Sequence, residues 1–148
     1  MKTKLLSTFV LALLMTFSAC RKADDPANQI PTKVFVSRVT VTQFPNSSWD
    51  ALSNADLYIK IGQNGTSFYE SGYYTDVPSI GSYPFDIPNV EFNPNSDLTI
   101  WFYDYDPTTS DDFMSGISFD VVNDGSGGNS PSFSYGGYAW KLDVTYQY

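Results

Sequence analysis

Apolar and polar residues alternate with a period of two along most of the chain beyond about residue 33. Leu57, Ile59 and Ile61 alternate with Tyr58 and Lys60. Leu98, Ile100 and Phe102 alternate with Thr99, Trp101 and Tyr103. Ile117, Phe119 and Val121 alternate with Ser118, Asp120 and Val122. Trp140, Leu142, Val144 and Tyr146 alternate with Lys141, Asp143, Thr145 and Gln147. This pattern predicts half-buried antiparallel strands. Val34 to Val41 is a further β-branched run, interrupted by Ser37-Arg38, where the inward phase is expected to shift. Thr66 to Tyr74 and Tyr83 to Phe92 are strands with weaker patterns. Turn signals separate these runs: Gln63-Asn64-Gly65, Pro78-Ser79-Ile80-Gly81, Asn93-Pro94-Asn95 and a long loop from Asn123 to Pro131. No helical period stands out. About eight short strands without crossover helices predict an all-β chain folded as an antiparallel β-sandwich.

The N-terminus breaks the pattern. Met1-Lys2-Thr3-Lys4 is basic, Leu5 to Phe17 is mostly apolar, and the stretch closes on Phe17-Ser18-Ala19-Cys20. That is the layout of a secretory signal, too short for a spanning helix. The one cysteine of the chain, Cys20, stands at the expected cut. This resembles the bacterial lipoprotein signal, in which such a cysteine is lipid-modified and becomes the first mature residue; Phe17 stands where leucine is usual. The alternative is an ordinary signal with an incidental cysteine. Residues 1–19 are therefore expected to be a signal peptide and residues 20–32 a lipidated cysteine with a polar, proline-containing tether. Residues 33–148 are expected to form one domain. Several acyl chains on Cys20 would anchor the protein durably. Lys22-Ala23-Asp24-Asp25 resembles the charged signals that send some lipoproteins of the Bacteroidetes group to the cell surface. An outer-membrane lipoprotein is expected, facing either the periplasm or the exterior.

Charge and residue types narrow the function. The chain carries 16 Asp and Glu against 8 Lys and Arg, which disfavours attraction to nucleic acid. It has no histidine, so Ser-His-Asp and Cys-His nucleophile arrangements and the usual zinc ligand sets are absent.

Acidic residues cluster beside two strands. Asp50 and Asp56 are separated by five residues, just before Leu57-Tyr58-Ile59-Lys60-Ile61. Asp104 and Asp106 flank Tyr105 at the end of another strand, with Asp112 across the short loop that follows. Two unit charges 4 Å apart repel by about 4 kcal/mol at an effective dielectric of 20. A hard divalent cation would relieve that repulsion, and calcium accepts six to eight oxygens in flexible geometry. Solvated turn aspartates are the alternative. An EF-hand is excluded: counted from Asp104, position six is Thr109 and position twelve is Ser115.

These two spacings resemble the calcium loops of C2 domains. Asp50, five residues, then Asp56-Leu57-Tyr58-Ile59-Lys60 is similar to the first loop; Phe102-Tyr103-Asp104-Tyr105-Asp106 with Asp112-Phe113-Met114 is similar to the third. The resemblance runs over roughly Lys33 to Tyr148. It implies an eight-stranded antiparallel C2-like sandwich. It also implies two or three calcium ions held by Asp50, Asp56, Asp104, Asp106 and Asp112, with Asp111 at the rim. Leu57 stands where proline is usual, and Ser115 where glycine is usual, with Gly116 one place later. The family's lysine-rich lipid patch has no counterpart, and the Pro107-Thr108-Thr109-Ser110 tip is polar, leaving Leu52 alone as a residue that could insert.

The leading expectation is a non-catalytic, calcium-binding, lipid-anchored module of the cell envelope that engages a surface protein, phospholipid or glycan. The alternative is a carbohydrate-binding lipoprotein that stacks sugars on outward-facing Tyr58, Trp101, Tyr103 and Tyr105. Paired carboxylates also serve glycoside hydrolysis, but five acids in one cluster suit a cation better than an acid/base pair, whose members need unlike environments.

Overall fold

The structure, a computed structural model, describes residues 29–46, 53–124 and 128–148. Cys20, Asp50, Leu52, the signal sequence and most of the tether lie outside the described residues. Among those described, nine strands run in chain order: β1 (Lys33–Gln43), β2 (Ala55–Gln63), β3 (Thr66–Glu70), β4 (Tyr74–Val77), β5 (Ile80–Phe92), β6 (Leu98–Asp104), β7 (Asp112–Phe119), β8 (Ser132–Tyr135) and β9 (Tyr138–Gln147). They form two antiparallel sheets. One has the order β5-β1-β9-β8. The other has the order β3-β2-β6-β7, with β4 also paired to β2. The expected all-β antiparallel sandwich is the observed architecture, with nine strands among the described residues where eight were expected.

The alternation explains the layers. Val34, Val36, Val39 and Val41 of β1 join Leu142 and Val144 of β9 on one inner face; Leu57, Ile59, Ile61, Leu98, Ile100 and Phe102 supply the other. Rings bridge the sheets: Phe102 lies 4.7 Å from Tyr138 and 6.0 Å from Trp140, centroid to centroid. Side-chain burial of this kind contributes about 1.5–3 kcal/mol per large apolar residue.

Irregularities in the pattern have local causes. At Ser37-Arg38 the β1 register shifts against both β5 and β9. Ser37 and Arg38 are exposed while valines on either side stay buried, so one inserted residue resets the phase as a bulge does. Pro84 and Pro88 sit inside β5, which is tolerated because β5 is an edge strand. The expected Thr66 to Tyr74 strand is two pieces on the same edge of β2. At the break, the Ser71 hydroxyl accepts a hydrogen bond from Ile59 N (2.9 Å) while Ser71 N donates to Ile59 O (2.9 Å), so a side chain completes the ladder. The strand expected over Ile117 to Val122 lies further toward the N-terminus. It starts at Asp112 and ends at Phe119, because Asp120 closes a turn by accepting from Val122 N and Asn123 N. Asp112 is thus the first residue of a strand and not part of a loop. Thr32 already pairs with Gln147 through both its amide and its hydroxyl, so the ordered sheet begins one residue before the expected boundary.

Gln63 links the sheets at the far end. Buried at the close of β2, it donates to Asn93 O (2.9 Å) and Ser96 O (2.8 Å) and accepts from Asn93 N (2.9 Å). One side chain holds the turn between β5 and β6. Gln63→Ala is expected to cost about 2 kcal/mol, since buried backbone groups lose their partners. Chemical denaturation checks this: a midpoint unchanged from wild type would contradict the role.

Candidate functional site

β2 begins where β6 ends, so antiparallel pairing brings the two acidic segments to one end of the five-stranded sheet. The register is Leu57 opposite Asp104 and Asp104 opposite Asp112. Asp104 therefore shares the core-facing side with Leu57 and is 1% exposed. Its Oδ1 accepts from Asp56 N at 2.6 Å, and Tyr105 N donates to Asp56 O at 2.9 Å. These two bonds lock the end of the β2–β6 pair.

A carboxylate absent from the sequence reading joins this end. Asp76, in β4 opposite the start of β2, donates its backbone N–H to Asp56 Oδ1 (2.7 Å). Its own Oδ1 accepts from Asn54 N (2.9 Å) and Asn54 Nδ2 (3.2 Å). Asp76 has φ 52, in the left-handed region that Asp and Asn tolerate better than most residues. No local motif marks it; only the pairing of β4 with β2 does.

Of the five expected ligands, Asp56, Asp104 and Asp112 stand at neighbouring strand ends. Asp106 lies just past the end of β6, in the loop, and Asp112 is exposed. Asp50 lies outside the described residues. Among the described residues, no three carboxylates converge into a metal-ligating group. The geometry gives one reason: Asp56 Oδ1 faces the Asp76 amide, and Asp104 Oδ1 faces the Asp56 amide. The donor set nevertheless fits a hard cation in kind, being oxygen throughout. The ion pairs among the described residues are Lys33–Glu91, Arg38–Asp86 and Lys60–Glu70, and none involves Asp56, Asp106 or Asp112.

Asp111 is more than a rim residue. Its Oδ2 accepts from Tyr58 OH at 2.6 Å and its Oδ1 from Asp106 N at 3.2 Å, so it folds the loop back over β2. Tyr58 in turn stacks on Tyr103 (5.0 Å, 14°), and Lys60 Nζ lies 5.0 Å from the Tyr103 centroid while bonded to Glu70. Tyr58 is consequently only 4% exposed, which corrects its expected role as an open sugar platform. Trp101, Tyr103 and Tyr105 are half-buried, and Tyr105 is stacked on Tyr73 at 4.2 Å. The Trp101 indole lies across Gly116, where a Cβ would come within 2.8 Å of its Cδ1. That explains a glycine one place beyond the expected position. Phe113, 58% exposed, packs edge-on against Tyr103 beside the acidic end.

Burial, and then the Asp111 carboxylate, push the Tyr58 hydroxyl well above the usual tyrosine range. Ionising Tyr58 thus costs the folded state more than the unfolded one. Its stabilising share is full below the ordinary value near pH 10 and is lost as pH rises above it. Tyr83, Tyr138 and Tyr146 are also raised, chiefly by burial. Stability is expected to fall steeply above about pH 10, and Tyr58→Phe to make that fall shallower. Melting curves across alkaline pH check this; identical slopes for variant and wild type would contradict it.

The chain resembles known proteins in structure and not in sequence. No family model matches the chain, and no curated protein matches it. Among solved structures, a C2 domain superposes with a TM-score of 0.51 at 12% identity, over 78% of this chain and 98% of that one. Human GIVD cytosolic phospholipase A2 gives a TM-score of 0.50 at 20% identity over 78% of this chain. This chain spans only 16% of the phospholipase chain. The likeness establishes a C2-like fold and carries no catalytic activity with it.

Proposed function

We propose that the domain is a non-catalytic, calcium-binding C2-like module held at the cell envelope by lipid on Cys20. The observation that carries the reading is the joining of Asp56 and Asp104 at one end of the sheet with Asp112 in register beside them. Asp50, Asp56, Asp104, Asp106 and Asp112 are the proposed ligands. Without an ion, mutual repulsion favours splayed carboxylates; with one, the same charges become ligands. Extracellular modules of this kind hold calcium weakly, in a range suited to external concentrations. A calcium ion with open coordination positions would bridge to a carboxylate, phosphate or sugar hydroxyl on a partner. The C2-like fold, the all-oxygen donor set and, among the described residues, the absence of ion pairs at Asp56, Asp106 and Asp112 support this reading.

Calcium is expected to raise the melting temperature in a concentration-dependent way, stabilising by about 2.7 kcal/mol at a hundred times Kd. The Asp104→Asn, Asp106→Asn double variant keeps the acceptor oxygen for Asp56 N but removes two charges, and should lose the response. No heat in calorimetry and no melting shift in the wild type would sink the proposal.

Anchoring is tested separately. Cys20→Ala is expected to move the protein from the membrane to the soluble fraction of its native host. Continued membrane recovery at the wild-type level would contradict attachment through Cys20.

A further inference from the structure

The two sheets part along one margin. β7 is the outer strand of one sheet and β8 the outer strand of the other. Between them lies a groove of about 320 Å³, at the small end of ligand-sized sites. Phe119, Phe133 and Trp140 make its aromatic wall. Phe119 lies 4.4 Å from Phe133 and 5.3 Å from Trp140, and Phe133 stacks on Trp140 at 5.7 Å and 14°. Tyr135, 71% exposed, stands at the rim with Ser134 and Asp124. Trp140 is 2% exposed, yet among the described residues its Nε1–H has no hydrogen-bond partner. Buried donors are nearly always satisfied, so an orphan one lining a groove calls for a ligand acceptor. Phe119 lies seven residues along β7 from Asp112, roughly 23 Å at strand rise, so the groove is separate from the acidic end.

We infer that this groove binds a neutral saccharide. Phe133, half-buried, and Tyr135, exposed, offer apolar faces to the C–H side of a sugar ring, with Phe119 and Trp140 packed behind them. Tyr135, Ser134 and Asp124 offer donors and acceptors for hydroxyls, and Trp140 Nε1–H offers a donor to a sugar oxygen. Anionic ligands are disfavoured, since the lining contains Asp124 and no cation and the chain carries a net charge of −8. An extended peptide added to an edge strand would also cover the groove, but that mode draws on a long run of backbone bonds, and β8 has only four residues.

The test titrates the full chain, in EDTA, with cellobiose, maltose, lactose and sucrose, and with a capped alternating valine–threonine pentapeptide. The Trp140 indole N–H resonance is followed by NMR. At least one disaccharide is expected to shift that resonance at millimolar concentration. Tyr135→Ala and Asp124→Asn, both at exposed rim positions, should each weaken the effect by about tenfold, whereas Tyr73→Ala at the acidic end should leave it unchanged. The inference is overturned if no disaccharide shifts the resonance, if the shift survives both rim variants, or if the peptide alone produces it.

Discussion

The short bond from Asp56 N to Asp104 Oδ1, with its companion from Tyr105 N to Asp56 O, ties down the end of the central β2–β6 pair. Everything at the acidic end hangs from that closure. It fixes Asp104 on the core-facing side, sets Asp112 beside it through the β6–β7 register, and brings Asp76 against Asp56 through β4. A buried carboxylate is costly unless hydrogen bonds or a counter-ion offset its desolvation. Placing one at the mouth of a sandwich concentrates that cost where loops from several strands can respond to a cation.

The outer face of the same sheet is organised around this end. Tyr58, Tyr103 and Lys60 form a stacked layer, and Asp111 pins the following loop to it through the Tyr58 hydroxyl. Aromatics that read as exposed from strand alternation are thereby spent on packing. Tyr135, at the β7–β8 margin, is the most exposed aromatic side chain among the described residues. A cation at the acidic end would leave the valine and isoleucine ladder between the sheets uninterrupted.

Much of the fold was legible because its signals are local. Period-two runs marked β2, β6 and β9, and Ser37-Arg38 marked the bulge in β1. Asn64-Gly65, with positive φ at both residues, marked the tight turn after β2. The β8–β9 hairpin was missed although Gly136-Gly137, also at positive φ, carries the same signal; the serines at Ser132 and Ser134 hid the short strand before it. The site was legible only in part. Spacing could mark Asp56, Asp104 and Asp112, but Asp76 and the Asp111–Tyr58 bond arise from pairings between segments about 20 and 53 residues apart, for which alternation has no signature. The burial of Tyr58 follows from that same long-range contact.

The most direct test is a crystal structure of the domain grown with calcium. A metal peak is expected about 2.4 Å from carboxylate oxygens of Asp104 and Asp106, with Asp56 or Asp112 completing the shell. Calcium-soaked crystals with no peak at this end, or with calcium only at acidic residues elsewhere, would contradict it.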